Sequence, residues 1–312
     1  MNNYFQNKKI LLTGGVGFVG QHVLRELIKQ GADKKNIVIP RHLEHDLRRE
    51  KVCLDLTEHA DIVINLAGNV GGIGYNRENP GLLFYDNMMM GVNLIEAARI
   101  NKVKKFVQIG TICAYPKYTP IPFREEDLWN GYPEETNAPY GIAKKALLVM
   151  IQSYRTQYHF PGIYLLPVNM YGPGDNFDPK SSHVIAALIK KIYDAKHAGK
   201  KEISVWGNGS ATREFFYVED AARAIIAATV KYDKGEPVNI GAGFEISIKD
   251  LVTKLVDLMK FKGKIVWDKT KPNGQPRRCL DTSRAEKEFG FKATTSFDEG
   301  LKKTIEWYYK NN

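Results

Sequence analysis

A tyrosine and a lysine stand four residues apart in the run Tyr140-Gly-Ile-Ala-Lys144. Positions four apart share one face of a helix, which Asn137 or Thr136 can cap and Pro139 can open. An ammonium group beside a phenol favours the phenolate, which would lower the pKa of Tyr140 from its ordinary value of about 10. Because such a pair more often marks a solvated helix face, it needs support from the rest of the chain.

Two further reactive side chains follow the predicted strand Lys105-Phe-Val-Gln-Ile109. Thr111 places a hydroxyl at the end of that strand, where it could complete an acid–base set with the tyrosine and the lysine. Cys113 lies two residues beyond it. A cysteine is most often a small apolar side chain, whereas an accessible thiol can exchange protons near neutral pH. The residues alone leave both interpretations of Cys113 open.

The segment Thr13-Gly-Gly-Val-Gly-Phe-Val-Gly20 joins the first predicted strand to the first predicted helix. Its glycines at 14, 17 and 20 permit a tight turn, let the backbone approach a pyrophosphate and pack helix against strand. The N-terminus of the helix then presents N–H groups to the phosphates. Since the pattern lies between a strand and a helix, it predicts dinucleotide binding.

The residues after the second predicted strand bear on which dinucleotide is bound. An NAD site usually places an acid there for the ribose 2′-OH, whereas a cation can accept a 2′-phosphate. The strand ends at Pro40-Arg41-His42, with no acid before Glu44. Arg41 therefore favours NADP(H), with NAD left open because Arg41 could equally be a surface side chain. Asp46 could accept a hydrogen bond from the adenine amino group or lie in an exposed turn.

Strand-like and helical segments alternate along the first half of the chain. Strands are predicted in KKILLTG, NIVIP, ADIVINLAG, KKFVQIG and GIYLLPVN. Helices are predicted in FVGQHVLRELIKQG, NPGLLFYDNMMMGVNLIEAARI and APYGIAKKALLVMIQSYRTQY. This order predicts an α/β fold, with a Rossmann-type, doubly wound parallel sheet whose strands are buried on both faces.

The second half of the chain has shorter elements and more glycine and proline. It predicts a smaller, discontinuous α/β lobe for the substrate, reached by a chain that crosses between lobes more than once. We assign residues 1–167 and 214–241 to the dinucleotide-binding domain. Residues 168–213 and 242–312 are assigned to the substrate-binding domain.

Composition narrows the class of protein. Of the 312 residues, 43% are hydrophobic and 26% are charged, as in soluble globular proteins, and no apolar run predicts a membrane partner. The formal net charge of +10 is spread along the chain, which argues against a nucleic-acid partner but could draw in an anionic substrate. Three scattered cysteines predict neither disulfides nor a metal site, and the N-terminal run predicts no signal peptide. We therefore expect a reducing, cytoplasmic location.

Longer segments resemble the extended short-chain dehydrogenase/reductase family, whose members act on nucleotide-linked sugars. The likeness covers nearly the whole chain and is densest in VGGI, DNMMMGVNLIEAA, GTICAYPK, NAPYGIAK, PVNMYGPGDNFDP, SSHVIAALI, VWGNGSATREFFYVED and NIGAGFEISIKDL. Within that family the chain is most similar to enzymes that epimerise a GDP-linked 4-keto-6-deoxy sugar at C3 and C5 and then reduce C4 with NADPH. The resemblance also implies a homodimer, built from the helices near residues 82–100 and 139–158.

The resemblance implies a role for each matching residue. Thr111 stands where the family usually has serine, Tyr140 is the catalytic acid, and Lys144 orients the nicotinamide ribose. Cys113 and His183 match the pair that moves the protons at C3 and C5, although His183 alone could equally support a helix start. Cofactor contacts are expected at Gly14, Gly17, Phe18, Val19, Arg41, Asp46, Leu47, Ala67, Tyr140, Lys144, Pro167 and His183. Substrate contacts are expected at Asn169, Lys191, Trp206, Arg213 and Arg278, with Arg277 as the alternative to Arg278.

The chain departs from the family pattern at two positions. Threonine replaces the usual serine at position 111, and Val16 stands where close relatives often have an arginine for the 2′-phosphate. The NADP(H) preference therefore rests on Arg41. The chain could be the NADPH-dependent epimerase–reductase, a GDP-sugar epimerase with tightly bound NAD and no net redox, or a non-catalytic dinucleotide-binding scaffold. Relatives of the second kind carry lysine at the position of His183, and the set of Thr111, Tyr140 and Lys144 argues against the third. The sugar itself, 6-deoxyhexose or heptose, is left open.

Overall fold

Strands and helices alternate along the chain in the computed structural model, which describes residues 3–270 and 275–312. The strands are β1 Ile10–Thr13, β2 Ile37–Val38, β3 Ile62–Asn65, β4 Lys105–Ile109, β5 Gly162–Pro167, β6 Asn169–Tyr171, β7 Glu202–Trp206, β8 Thr212–Arg213, β9 Phe215–Tyr217, β10 Val238–Ile240, β11 Ile246–Ser247 and β12 Lys264–Asp268. The helices are α1 Phe18–Lys29, α2 Glu50–Thr57, α3 Ile73–Glu78, α4 Pro80–Ile100, α5 Ala138–Tyr158, α6 Val184–His197, α7 Val218–Lys231, α8 Ile248–Met259, α9 Ser283–Phe289 and α10 Phe297–Asn311. Within the described residues, no helix combines the length and the apolar character that crossing a bilayer needs.

A parallel sheet of six strands, in the order β10-β5-β4-β3-β1-β2, confirms the predicted fold class. Every residue of β1, β3, β4 and β5 is buried, because helices cover both faces of the sheet. The strand order reverses between β1 and β3. In a doubly wound sheet, the crevice outside the carboxyl ends of the strands at such a reversal is where ligands bind.

Buried polar side chains connect the carboxyl ends of the central strands. The hydroxyl of Thr13 on β1 donates to Oδ1 of Asn65 on β3, at 2.6 Å. Nδ2 of Asn65 donates in turn to Oε1 of Gln108 on β4, at 2.8 Å. Each of these buried polar atoms has a partner, so the ligand-facing end of the sheet is held in a fixed register.

Two clusters of buried apolar side chains lie on either side of this crevice. The first surrounds the six-stranded sheet, and the second is built mainly from α6, α8, α10 and the parallel pair β7 and β12. The chain passes between the clusters several times: Phe215 packs in the second and Phe216 in the first, and Leu280 returns to the first. Helix α9 packs with the first cluster through Ala285 and Phe289. The division into domains by residue number stays a prediction.

A buried carboxylate fastens the segments that cross between the clusters. Glu214 accepts hydrogen bonds from the backbone N–H groups of Ala242 (2.6 Å), Gly243 (2.8 Å) and Leu280 (2.7 Å). These donors come from two segments far from Glu214 in the sequence. Glu214 therefore joins the end of β8, the turn after β10 and the segment before α9 at one point.

Candidate active site

The loop between β1 and α1 forms a cradle that fits a diphosphate. Gly14 has a left-handed φ of +68°, and a Cβ added there would lie 2.9 Å from the carbonyl carbon of Leu66. A Cβ added at Gly20 would lie 2.1 Å from the carbonyl oxygen of Gly14, so side chains are excluded at both positions. Gly17 precedes α1 and has no side chain with which to cap it, which leaves the first N–H groups of the helix for phosphate oxygens. The residues present thus fit a dinucleotide cofactor.

A cavity of about 1380 Å³ adjoins this loop and extends to the second apolar cluster. The five predicted catalytic residues all line it: Thr111, Cys113, Tyr140, Lys144 and His183. It is also lined by the predicted binding residues Gly14, Gly17, Phe18, Val19, Ala67, Pro167, Asn169, Lys191, Trp206, Arg213 and Arg278. Three predicted cofactor contacts lie outside it, namely Arg41, Asp46 and Leu47.

Helix α5 carries Tyr140 and Lys144 into the cavity from its first two turns. Burial raises the pKa of Tyr140, the nearby Cys113 adds to the rise, and a hydrogen bond from the Thr111 hydroxyl acts in the opposite direction. Burial also lowers the pKa of Lys144 to about 8. The ammonium group of Lys144 donates to the carbonyl oxygen of Ala67, at 3.3 Å. The pKa of Tyr140 is therefore raised, opposite to the lowering predicted from the sequence, because burial is the main cause of the shift.

Cys113 is the accessible thiol of the chain. It lies in a short 3₁₀ turn after β4, where its backbone N–H donates to Oγ1 of Thr111 at 3.1 Å. Nη1 of Arg278 lies 3.8 Å from its Sγ. In contrast, Cys53 and Cys279 are buried, and burial raises the pKa of each thiol to about 12. Among the cysteines of the described residues, Cys113 is the one that is half-buried, lines the cavity and has the guanidinium of Arg278 beside its sulfur.

His183 precedes α6 and faces the same cavity. Its side chain is open to the cleft, and protein atoms surround it on the other sides. This burial lowers the pKa of the His183 imidazole. A neutral imidazole offers one nitrogen as a donor and the other as an acceptor, which suits a group that gives or takes a single proton.

Cationic side chains and an indole ring occupy the far part of the cavity. Lys191 donates to the carbonyl oxygen of Ser204, at 2.7 Å. Burial lowers the pKa of Arg213 to about 10, and the neighbouring Arg278 adds to this effect. Of the two adjacent arginines, Arg277 pairs with Glu245 whereas Arg278 lines the cavity, and the contact of Arg278 with the substrate stays a prediction. Trp206 is 54% exposed at the end of β7 and lines this part of the cavity.

The predicted contacts to the adenosine half lie beside the glycine loop, beyond the cavity. Ile39 packs next to Gly15, so the segment that follows β2 starts at the loop. Arg41 is exposed there. The Asp46 carboxylate accepts from Nε and Nη2 of Arg48, both at 2.9 Å, which lowers the pKa of Asp46 to about 2. The carboxylate of Asp46 is thus already paired with Arg48, and its contact with adenine stays a prediction. The predicted cofactor contact of Leu47, which is buried, also stays a prediction.

One acid in the cavity was missed by the sequence reasoning. Asp175 is only 8% exposed, lines the cavity and accepts a hydrogen bond at Oδ1 from the backbone N–H of Asn176, at 2.7 Å. Burial raises the pKa of its carboxyl group to about 7. The residue stands in YGPGDNF, a segment that the sequence marks as a loop. A loop aspartate is usually solvated, and nothing local indicates that this one is buried.

We expect Asp175→Asn to stabilise the protein increasingly as the pH rises from 3.8 to about 7, and to have little effect below that window. The unfolded chain releases this proton near pH 3.8, whereas the folded protein keeps it until about pH 7. The folded state therefore binds more protons in that window, and the parent's free energy of unfolding falls as the pH rises through it. Asparagine stays neutral throughout, so the free energy of unfolding of the variant should exceed that of the parent by at most about 4 kcal/mol.

Thermal unfolding of both proteins at several pH values measures this difference. Asp257→Asn is the matched control, since it removes an exposed carboxylate. A difference for Asp175→Asn that does not change between about pH 5 and about pH 8 would contradict the assignment.

The chain matches a known protein family and is similar to proteins with related names. The family model described as "NAD dependent epimerase/dehydratase family" matches residues 10–241. The chain is 39% identical over 306 residues to a probable GDP-L-fucose synthase 1 of Oryza sativa subsp. japonica, covering 97% of this chain and 92% of that protein.

Two solved structures are similar over nearly their whole length. A GDP-6-OMe-4-keto-L-xylo-heptose reductase from C. jejuni superposes with a TM-score of 0.91 at 26% identity, covering 98% of this chain and 99% of that one. A GDP-L-fucose synthetase from Naegleria fowleri bound to NADP gives a TM-score of 0.88 at 27% identity, covering 98% and 95%. The fold described above thus recurs in proteins named for GDP-linked sugars.

Proposed function

Because the chain belongs to the NAD-dependent epimerase/dehydratase family, we propose that it is an NADPH-dependent enzyme that converts GDP-4-keto-6-deoxy-D-mannose to GDP-L-fucose. It epimerises C3 and C5 of the sugar and reduces the ketone at C4. One observation carries this proposal: the two proton-transfer candidates, Cys113 and His183, line the same cavity as the reductase set of Thr111, Tyr140 and Lys144. The likeness to the rice and Naegleria proteins supports the GDP-linked sugar and the NADP(H) cofactor.

The epimerisation half requires a base on one face of the sugar and an acid on the other. Cys113 and His183 take these two roles, and the neutral imidazole of His183 can take or give a proton. The oxygen at C4 gains negative charge when a neighbouring carbon loses its proton. The hydroxyl groups of Tyr140 and Thr111 hydrogen-bond to that oxygen and stabilise the charge.

The reductive half uses the residues of α5. NADPH, when bound, supplies the hydride that adds to C4. Tyr140, which burial keeps protonated, delivers the proton to the oxygen at C4. Lys144 is still largely charged at neutral pH, since its pKa is about 8, and holds the ribose next to the nicotinamide. Lys191 and Arg213 offer positive charge to the diphosphate of the substrate, whereas Arg278, with Nη1 3.8 Å from Sγ of Cys113, lies at the sugar.

The test is a measurement of NADPH consumption with GDP-4-keto-6-deoxy-D-mannose, combined with mass spectrometry of the product. We expect one NADPH to be oxidised for each GDP-L-fucose formed. A panel that includes GDP-4-keto-heptoses determines whether another sugar is preferred. Proton exchange at C3 and C5 without net NADPH consumption would contradict the proposal, and the absence of both reactions would indicate a binding protein.

The cofactor preference provides a second prediction. NADPH should bind more tightly than NADH by about 10-fold or more, because Arg41 can form a charge-assisted hydrogen bond with the 2′-phosphate. Arg41→Ala should remove most of this preference without weakening NADH binding. Arg49→Ala, at an exposed position shortly beyond, is the control. Equal affinities of the parent protein for NADPH and NADH, measured by calorimetry, would contradict the role of Arg41.

We propose that α4 and α5 pair with the same helices of a second copy in a four-helix bundle. Leu82 and Tyr85 on α4 and Val149 on α5 are 44%, 54% and 45% exposed, and Met89 continues the apolar face of α4. Val149→Asp should therefore shift the protein from dimer to monomer in analytical ultracentrifugation. Val266→Asp, at an exposed apolar position on β12, should leave the dimer intact. A parent protein that is monomeric and active at micromolar concentration would contradict this assembly.

A reducing, cytoplasmic location completes the proposal. All three cysteines are free thiols, which a reducing compartment preserves. The reaction needs neither a nucleic acid nor a membrane as partner.

A further inference from the structure

Arg278 is held against a thiol by a specific set of contacts. Its Nη1 lies 3.8 Å from Sγ of Cys113, while its Nε donates to Oε1 of Gln275 at 2.6 Å. Its backbone carbonyl oxygen accepts from the N–H of Glu214, at 2.9 Å. A positive charge beside a sulfur stabilises the negative charge that the sulfur carries once its proton has left.

Gln275 connects this arginine to the loop that carries the thiol. Its side chain is only 9% exposed, and its Nε2 donates to the carbonyl oxygen of Lys117, at 2.6 Å. Both ends of the amide are therefore in use, one as a donor and the other as an acceptor. Neither leucine nor glutamate provides that pair of functions.

Electrostatic repulsion from Arg213 acts on Arg278, and Gln275 holds the Arg278 side chain in place against it. Arg213 lies close enough to Arg278 for the two guanidinium charges to repel each other. Arg213 and Tyr140 also lie near enough to Cys113 to interact with its thiol. Without Gln275, the Arg278 side chain would relieve that repulsion by turning away, which would also separate it from Cys113. The contact between Arg278 and the sulfur thus depends on Gln275, which lines the cavity but whose amide is already used by Arg278 and by the carbonyl oxygen of Lys117.

We propose that Gln275 is a positioning residue for epimerisation, and that it holds Arg278 where the guanidinium stabilises the thiolate form of Cys113. When the thiol protonates a sugar carbon, its S–H bond breaks, a C–H bond forms and the negative charge of the enolate passes to the sulfur beside Arg278. When the thiolate removes a proton, the same changes run in reverse. The catalytic half of this inference rests on the proposed function, whereas the effect on the thiol does not.

Alkylation of Cys113 by iodoacetamide, without sugar or cofactor, tests the effect on the thiol. The rate is followed by peptide mass spectrometry across a range of pH, and the buried Cys53 and Cys279 serve as internal references. We expect Gln275→Leu to slow the modification of Cys113 by about 3- to 10-fold near neutral pH and to move the half-maximal rate to higher pH. Arg278→Gln should do the same.

A double-mutant cycle separates positioning from a general loosening of the structure. The variant with both changes should react no more slowly than Arg278→Gln alone, because Gln275 acts only through Arg278. Gln152→Leu, which removes an amide that donates to the carbonyl oxygen of Gly235 elsewhere, should leave the rate unchanged. Parent-like pH profiles for Gln275→Leu and Arg278→Gln would overturn the inference. Fully additive effects of the two changes would also overturn it.

The catalytic half has its own readout. In Gln275→Leu, deuterium exchange at C3 and C5 should fall about 3- to 10-fold, in step with alkylation. The NADPH affinity should stay unchanged, because the cofactor cradle lies on other segments. Slowed alkylation with undiminished exchange would overturn the catalytic half. Absence of exchange in the parent protein would instead reject the proposed function and leave the thiol result standing.

Discussion

Tyr140→Phe should lower the rate of NADPH oxidation by the keto sugar about 10²- to 10⁴-fold, the range typical of a lost general acid. The change removes one oxygen, which is the group that protonates C4 and helps hold the enolate. Burial keeps this hydroxyl protonated in the parent protein, so water in the cavity is a poor substitute for it. A stopped-flow measurement of NADPH absorbance in a single turnover reports this step directly.

The control for Tyr140→Phe is a tyrosine of the same cavity with no assigned chemistry. Tyr118 lines the cavity but is highly exposed, and its ring packs under the ammonium group of Lys117. Tyr118→Phe should reduce NADPH oxidation less than about 3-fold, since phenylalanine keeps that ring. Both variants should bind NADPH like the parent. If Tyr140→Phe retained a tenth of the parental rate or more, another group would have to be the acid.

Cys113→Ser should separate the two halves of the reaction. Serine has nearly the same volume as cysteine, but its hydroxyl group does not ionise in a useful range, so exchange of the C3 and C5 protons should fall about 10²-fold or more. Thr111, Tyr140 and Lys144 are unchanged and still support hydride transfer. In deuterated water the variant should consume NADPH and give a sugar reduced at C4 without both inversions. Mass spectrometry and NMR of the product distinguish these outcomes.

Two further variants serve as comparisons for Cys113→Ser. His183→Asn should also impair epimerisation, and its deuterium exchange at C3 and at C5 is compared separately with that of Cys113→Ser. Cys53→Ser is the control, because that buried thiol donates to the carbonyl oxygen of Leu47 at 3.2 Å and serine can keep the bond. If Cys113→Ser exchanged deuterium at both carbons as fast as the parent, the thiol would serve only in packing.

The elements that carry the site could be predicted because local patterns determine them. Helix α5 spans Ala138–Tyr158, the segment predicted from its apolar spacing, with Pro139 in its first turn and His159 left-handed at its end. The parallel sheet then explains why distant residues meet. Ala67 and Thr111 each follow a parallel strand, and the carboxyl ends of such strands share one edge of the sheet.

The features that sequence reasoning missed depend on contacts between segments far apart in the chain. The burial of Asp175 and the engagement of Asp46 by Arg48 both follow from tertiary packing. The rise in the pKa of Tyr140 likewise depends on the folded structure, because burial is its main cause. A spacing of four residues shows which side chain lies nearby, but it carries no information on how much water the fold removes.

The order of the strands in the sheet has a consequence for synthesis. Strand β5 ends at Pro167, but its partner on the outer side, β10, begins only at Val238, after α6 and α7 have been made. Until residue 240 has left the ribosome, the outer edge of β5 presents unpaired N–H and C=O groups, the arrangement that invites pairing with another chain. While the segment that forms the far side of the cavity is being synthesised, the nascent sheet is therefore open to misassembly.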